Sequence, residues 1–337
     1  MADDIDTVLE RLPEDLRPAA RQLWERSSLV TKDVTETLAA SFALLQHLKA
    51  DPQQLEGGHD RLTTQLRSQL DMAKQDIDRT RPALAEAWSG QGAGMFTSYI
   101  PQLLTAVQSC QDNVDQVSEA VGMFHQSVAA LWTAVVERTR RTTAEVVAAV
   151  AAGGNQSFLA APPVMDVIDK YADYVEELTK TLLELTNDKH AAGTKLTEAD
   201  TVPPGWIAGA HGEPQLPHLS AETDREASSQ STTVSVDAAA MAQLTETFTD
   251  NSRYWRRAAD YNRQISDELL KPESFGLAGI HFSKDLQRIL ERDRGMYAAV
   301  GGRLQRMAEV LRAVADGSAH TDAEVAAELR QHLDDVE

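Results

Sequence analysis

One stretch of the chain constrains its fold more than any other: a run of apolar residues that recur at alternating steps of four and three. A sustained 4-3 alternation is the heptad pattern of long helices packed along a narrow seam. The run therefore predicts a helix from about residue 96 to about 150, buried along one side. Its members are Phe96, Ile100, Leu103, Val107, Cys110, Val114, Val117, Val121, Phe124, Val128, Leu131 and Val135.

A short glycine-rich break precedes this helix and reads Trp-Ser-Gly-Gln-Gly-Ala-Gly-Met-Phe from Trp88 to Phe96. Upstream, residues 59–86 carry leucines and an isoleucine on one face, which predicts a second long helix. A glycine-rich break between two amphipathic segments is a turn signal. We therefore predict an elongated helical hairpin over residues 59–150 that turns at Trp88 and Gly90 and so buries its seam.

A second amphipathic segment begins at about residue 235. Asp237 is a candidate N-cap for a helix that runs to about residue 270. Asn251 and Asn262 fall on its apolar face, where buried polar groups usually set the register of packing at some cost in stability.

A break that contains Phe275 and Gly276 separates this helix from a last long helix over about 282–317. Asp293 interrupts the apolar stripe of the last helix, and the pair Gly301-Gly302 lies in its middle. The pair predicts either a close approach of another helix or a kink. The chain thus contains two helix-turn-helix units, and the predicted fold class is all-α. Linkage in one chain favours their packing into a single four-helix bundle.

The other segments give weaker signals. Residues 1–58 predict short helices ending near the pair Gly57-Gly58, and residues 151–187 predict a loop to about Pro163 followed by one more helix. Residues 188–234 are rich in proline, glycine and serine and have no period, which predicts a flexible linker. Trp206 lies in that linker, and its ring either docks elsewhere in the chain, which we favour, or binds a partner. The second hairpin and its tail then occupy residues 235–337.

The composition narrows the class of protein. Hydrophobic residues make up 42% of the 337 residues and aromatic residues 5%, which suits helices with buried cores. The net charge of −20 argues against nucleic acid or an anionic membrane as a partner, because phosphate contacts require clustered cations. Cys110, the single cysteine, lies on the apolar run, where we expect a small buried side chain rather than a nucleophile.

Two features bear on location. The sequence has no apolar run of about 18 residues that would span a bilayer. Its acidic start differs from a secretory signal peptide, which begins basic and then becomes apolar. We therefore expect a cytoplasmic protein, or one exported by a leaderless route.

Motifs that carry chemistry are missing from the sequence. It contains no phosphate-binding loop, no dinucleotide-binding motif between a strand and a helix, no nucleophile elbow and no metal-binding histidine pair. The most basic cluster, 253–257, includes Trp255 on the apolar face and has Asp250 and Asp260 nearby, which indicates helix surface charge. We expect no enzyme activity, no cofactor and no metal.

The chain resembles the WXG-motif proteins of type VII (ESX) secretion systems at Trp88-Ser89-Gly90, with Phe96 eight positions after the tryptophan. In that family a small helical hairpin turns at Trp-x-Gly, and hairpins dimerise in antiparallel fashion into four-helix bundles. The resemblance covers residues 59–150. It implies that Trp88, Gly90 and Phe96 form the hairpin turn.

The stretch Pro272–Gly276 before the last long helix resembles the WXG-related actinobacterial ESX-associated secreted proteins, in which a Phe-Gly turn replaces Trp-x-Gly. In those proteins a Tyr-x-x-x-Asp/Glu export signal commonly follows the helix. Ser318 stands at the tyrosine position, four residues before Asp322, so the signal is degenerate. Export with a partner that carries the signal and no export at all both remain open.

These resemblances imply a non-enzymatic helical interaction protein of a type VII secretion system, a substrate or a substrate-associated subunit. Its partners would be other WXG-type hairpin proteins, a co-encoded secreted protein, the secretion ATPase or a second copy of itself. The alternative is a cytoplasmic helical adaptor or chaperone-like partner of a secreted toxin. A third hypothesis, an enzyme or toxin, would be favoured by toxicity on expression.

Overall fold

The protein is all-α, as predicted. The computed structural model describes residues 5–48, 50–153, 157–185, 191–209, 213–217, 235–276 and 279–317, with the single residues 327 and 331. The α-helices of these ranges are α1 (Ile5–Arg11), α2 (Arg17–Ser27), α3 (Lys32–Leu48), α4 (Pro52–Asp60), α5 (Arg67–Ala87), α6 (Gln91–Gly153), α7 (Ser157–Leu185), α8 (Ala191–Ala199), α9 (Ala238–Gln264) and α10 (Ile280–Ala315). π-Helical turns cover Arg61–Leu66 and Ile265–Leu269, and a 3-10 turn covers Pro272–Phe275. The two-residue strands are β1 (Trp88–Ser89), β2 (Ile207–Ala208), β3 (Pro214–Gln215) and β4 (Ser235–Val236).

The long helices lie where the periodicity predicts them. Helix α6 has 63 residues, and every member of its apolar run is buried except Leu131, which is half-buried. The side chain of Asp237 caps α9 by accepting hydrogen bonds from the N–H groups of Ala239 and Ala240. Asn251 and Asn262 are both buried, as their place on the apolar face predicts.

Two predicted breaks are wrong, because burial outweighs the local signal. Helix α4 continues through Gly57 and Gly58, since a glycine costs only about 1 kcal/mol in a helix. The loop predicted over 151–163 is helical at both ends, where α6 reaches Gly153 and α7 starts at Ser157. Pro162 and Pro163 lie early in α7, so they deprive only first-turn carbonyls of donors, and a buried stripe farther along the helix holds it.

The chain divides into two compact units, neither of which is contiguous in sequence. Unit 1 comprises Met1–Gly57, Ala120–Thr194 and Leu269–Asp285, and unit 2 comprises Gly58–Glu119, Lys195–Glu268 and Leu286–Glu337. The units differ from the segments expected from the sequence, because α6 and α10 each contribute residues to both.

Unit 1 is a helical core built from α1, α2, α3, α7 and the second part of α6. At its centre the ring of Phe42 packs edge-on against that of Tyr171, with the centroids 6.4 Å apart. The Tyr171 hydroxyl lies 2.9 Å from the Thr139 hydroxyl of α6. The N-terminal helices and the α6–α7 hairpin therefore share one apolar core.

Unit 2 is a four-helix bundle of α5, α6, α9 and α10, in which α5 contacts α6 on one side and α9 on the other. Arg67 of α5 donates to Asp115 of α6 at 2.9 Å. On the other side, Asn251 Nδ2 donates to the Ala73 carbonyl at 2.7 Å. β1, directly after α5, pairs antiparallel with β4, directly before α9, so α5 and α9 run in opposite directions.

The remaining helix contacts close the bundle. Ser252 of α9 donates to Gln305 of α10 at 3.4 Å. Asn113 of α6 donates to Asp293 of α10, and 5.6 Å separates the Arg303 guanidinium from the centre of the Tyr99 ring. The residue numbers rise along α6 as they fall along α10, so these two helices are also antiparallel. Each helix of this four-helix bundle is thus antiparallel to both of its neighbours, and the two hairpins bury each other's seams.

Candidate functional site

The Trp88 turn ends one helix and starts the next within three residues. Trp88 caps α5 in an extended conformation and donates its backbone N–H to the Leu84 carbonyl. Gly90 has a φ of 134°, which side chains other than hydrogen rarely tolerate, and α6 begins at Gln91. The local sequence therefore accounts for the tight corner that the resemblance implies.

Aromatic packing places the Trp88 ring inside the bundle. Trp88 is 3% exposed, and its ring meets Phe96 edge-on with 6.3 Å between centroids. Phe96 in turn meets Phe248 of α9 at 5.5 Å. The Asp237 N–H donates to the Ala87 carbonyl at 2.8 Å, so the turn is bonded to the start of the second hairpin. The Trp88 turn thus contacts the second hairpin at the end of unit 2 where α9 begins. Little of the Trp88 ring is exposed for contact with a partner.

The Phe275-Gly276 turn belongs to unit 1. Gly276 has a φ of 64°, and Phe275 is fully buried between two other phenylalanines. Its ring lies 5.4 Å from Phe124 and 5.6 Å from Phe282. Both turn motifs therefore combine a positive-φ glycine with a buried aromatic cluster. Ser318 and Asp322, which the resemblance predicts to be a degenerate export signal, lie outside the described residues.

A buried carboxylate lies in the seam between α6 and α10. Asp293 is 2% exposed, and one of its oxygens accepts a hydrogen bond from Asn113, which is 4% exposed. The other oxygen accepts from Arg292 Nη2 at 2.8 Å and Nε at 3.2 Å. Burial raises the pKa of Asp293 to about 6, although Arg292 and Asn113 favour the charged form. The interruption of the stripe seen in the sequence is thus a polar contact between the hairpins.

The seam between α5 and α9 contains a second polar contact. Asn251 donates to the Ala73 carbonyl and accepts a hydrogen bond from Trp255 Nε1 at 3.1 Å. A small residue at position 73 leaves its carbonyl accessible to the amide. Each interface between the two hairpins therefore contains one buried asparagine with a specific acceptor, which fixes the register of the packing.

A segment that we call the strap, residues 195–206, packs on the bundle of unit 2. Arg292 donates to the carbonyls of Ala199 and Thr201 at 2.7 and 3.1 Å, at the end of α8, where a cation is favoured. Asp200 pairs with Arg288. Trp206 is 7% exposed and donates to the Ala106 carbonyl at 3.0 Å, which confirms the expected docking.

The prediction of a flexible linker is therefore wrong for residues 191–209 and 213–217, which contain α8 and the antiparallel pair of β2 and β3. Sequence reasoning missed the strap because its helix is short. The spacing of Ala192, Leu196 and Ala199, all buried, is the signal that was available.

The single cysteine and the basic cluster 253–257 are used in packing and in surface ion pairs. Cys110 is buried, and burial raises the pKa of its thiol well above the ordinary value, which suits packing rather than nucleophilic attack. Arg253 pairs with Asp250 at 2.6 Å on the surface of α9, and Trp255 is buried, as expected for helix surface charge. Two shallow clefts of unit 2, of about 400 and 440 Å³, are lined mostly by polar residues.

The described part of the chain contains no group of three His, Cys, Asp or Glu side chains arranged to hold a metal ion. None of the described helices has the length and apolarity needed to cross a bilayer. Comparison of the chain with known protein families, curated proteins and solved structures finds no match.

Proposed function

We propose that this chain is a non-enzymatic helical interaction protein of a type VII secretion system, a substrate or a substrate-associated subunit. One observation carries the proposal: two helical hairpins close into an antiparallel four-helix bundle around a Trp-x-Gly turn. Trp88 and Gly90 form the tight turn between α5 and α6, and the ring of Phe96 packs against that of Trp88, which supports the resemblance to WXG-motif proteins.

The closed bundle bears on which partners fit. In the family that the chain resembles, one hairpin binds a second hairpin from another protein. Here α9 and α10 already cover the seams of α5 and α6. A partner hairpin protein, a co-encoded secreted protein or the secretion ATPase would therefore bind the outer faces of the helices or the tail beyond α10.

Export is the direct test. The full chain is expressed in an actinobacterial host with an intact type VII system and in an otherwise identical strain that lacks the secretion ATPase. We expect the protein in the culture supernatant of the first strain only, with a cytoplasmic enzyme as the control for lysis. Equal amounts in both supernatants, or retention in both with no protein partner recovered, would refute the proposal.

The alternative, a cytoplasmic adaptor or chaperone-like partner of a secreted toxin, is favoured by one residue. Ser318 stands where the export signal of the related proteins has tyrosine. Restoring the signal with Ser318→Tyr separates the two functions, and Ala319→Tyr is the matched control. A substrate limited by its signal gains export only with the first change. An adaptor stays in the cytosol with either change and co-purifies with a co-encoded toxin.

A further inference from the structure

The two long helices of the chain carry the same apolar register. Phe96 is the sixth residue after Gly90, and Phe282 is the sixth after Gly276. From these phenylalanines both helices continue through buried positions at identical steps of four and three. The positions on α6 are Phe96, Ile100, Leu103, Val107, Cys110, Val114, Val117, Val121, Phe124 and Val128; those on α10 are Phe282, Leu286, Ile289, Asp293, Met296, Val300, Arg303, Met307, Val310 and Val314.

Two members of the α10 stripe are charged where α6 has valine. Asp293 stands at the position equivalent to Val107, and Arg303 at the position equivalent to Val117. Asp293 finds its hydrogen-bond donor in Asn113 of α6. The position on α10 equivalent to Asn113 is Ala299, and the position on α6 equivalent to Asp293 is Val107. The reciprocal pair, Ala299 with Val107, therefore has no such hydrogen bond. The two helices are alike in register and differ at these two charged positions, each of which contacts a residue of α6.

This asymmetry distinguishes α10 from a second α6. If α6 of another copy took the place of α10 in the same antiparallel relation, Asn113 of each copy would face Val107 of the other. Both amides would then be buried in an apolar seam without an acceptor, which is unfavourable. The pairing seen in unit 2 leaves the Asn113 amide hydrogen-bonded and 4% exposed.

We infer that the hydrogen bond from Asn113 to Asp293 selects α10, rather than the α6 of a second copy of this chain, as the neighbour of α6. The contact thereby acts against self-association of the first hairpin. Buried polar contacts in helical bundles characteristically provide such specificity at a cost in stability. The inference depends on the bundle of unit 2 and is independent of any role in secretion.

Cys110 provides a reporter of the wrong pairing. It lies midway between Val107 and Asn113 on the stripe, so pairing of two α6 helices would set Cys110 of one copy opposite Cys110 of the other. In the observed bundle the thiol is buried within its own chain. An exchange of whole hairpins between copies would keep α6 next to an α10 and would not bring the two thiols together. A disulfide between copies therefore reports α6–α6 pairing alone.

The experiment replaces the polar pair in the full chain by Asn113→Val/Asp293→Val. Protein is refolded from urea at about 1 mM, comparable to the effective concentration of a linked hairpin. Diamide then accepts the hydrogens of any two adjacent thiols, and non-reducing electrophoresis measures the disulfide-linked dimer. We expect at least roughly ten times more dimer than in the wild type, which corresponds to about 1.4 kcal/mol.

Two further variants are matched controls. Asp293→Asn keeps an amide acceptor for Asn113 and should form as little dimer as the wild type. Asp112→Val/Glu291→Val makes similar changes at exposed positions of the same helices and should also form little. Adding Cys110→Ala to the valine pair should abolish the dimer.

The inference is overturned if the valine pair forms no more dimer than the wild type. It is equally overturned if Asp293→Asn or the exposed control forms as much dimer as the valine pair. Circular dichroism establishes that each variant has refolded. If the valine pair fails to refold, Asn113→Ala/Asp293→Ala provides the same comparison with smaller side chains.

Discussion

Replacing Asp293 by asparagine is expected to stabilise unit 2 at neutral pH. Burial raises the pKa of this carboxyl from 3.8 to about 6. The folded protein therefore binds the proton more tightly than the unfolded chain, and the free energy of unfolding falls as the pH rises from about 4 to about 6. Above that range the charged carboxylate costs about 3 kcal/mol relative to its neutral form. Asparagine has nearly the same shape and carries no charge.

An opposing effect sets the size of the gain. Removing one member of a buried ion pair usually costs about 3–5 kcal/mol, because the other charge is left without a partner. Arg292 would still have partners without Asp293, because it also donates to the carbonyls of Ala199 and Thr201 and its side chain is 14% exposed. We therefore expect Asp293→Asn to raise the free energy of unfolding by about 1–3 kcal/mol at pH 8 and by nearly nothing at pH 4.

Hydrogen exchange in α10 is a suitable assay because it reports on unit 2 separately from unit 1. Peptides from residues 286–315 are followed by mass spectrometry between pH 4 and pH 8, with correction for intrinsic exchange rates. Protection in Asp293→Asn should exceed that of the wild type at pH 8 and converge with it at pH 4. Glu291→Gln, an exposed acid of the same helix, should show no such difference. Parallel profiles for Asp293→Asn and the wild type, or lower protection at pH 8, would show that the Arg292 pair outweighs burial.

Four other substitutions test the packing. Trp88→Ala should lower the free energy of unfolding of unit 2 by about 3–5 kcal/mol, because a buried ring is lost. Urea unfolding measures this change, and an unchanged unfolding midpoint would mean that the ring is exposed. Gly301→Ala should destabilise unit 2 by about 1–3 kcal/mol, because the added methyl would lie 3.2 Å from a carbonyl oxygen of α9. Gly302→Ala should stabilise unit 2 by about 0.5–1 kcal/mol, because its methyl meets nothing within 4 Å. Thermal unfolding of the two variants distinguishes these effects, and equal effects would contradict the close approach of α9 to Gly301. Trp206→Ala should speed hydrogen exchange in the strap and leave α5 protected, and unchanged exchange would show that the ring does not hold the strap.

The long helices were predictable because a heptad stripe is a local signal repeated many times. The stripe of α6 predicts both the helix and its buried face, and Asp237 and Asn251 mark the start and the seam of α9. The glycine pairs were misleading for the opposite reason. Gly57 and Gly58 carry a weak local preference that the burial of neighbouring leucines overrides.

The polar contacts of the candidate site were only half predictable. Asp293 is visible in the sequence as an interruption of a stripe, but its donor, Asn113, lies 180 residues away. The strap is held by Arg292 at its middle and by the carbonyl of Ala106 at Trp206, and both of these residues are far from the strap in sequence. Contacts of this kind depend on how helices pack, and the periodicity of one segment contains no information about them.

The order of the helices in the chain has a consequence for synthesis. The part of α6 that belongs to unit 2 ends at Glu119, whereas α10 is complete only at Ala315. A ribosome adds about 5–20 residues per second, so roughly 10–40 s separate the two events. During that time the first hairpin has no second hairpin tethered to it, and identical nascent chains lie nearby on the same messenger. Asn113 then has its largest effect, because it disfavours pairing of the α6 helices of neighbouring nascent chains before α10 has been synthesised.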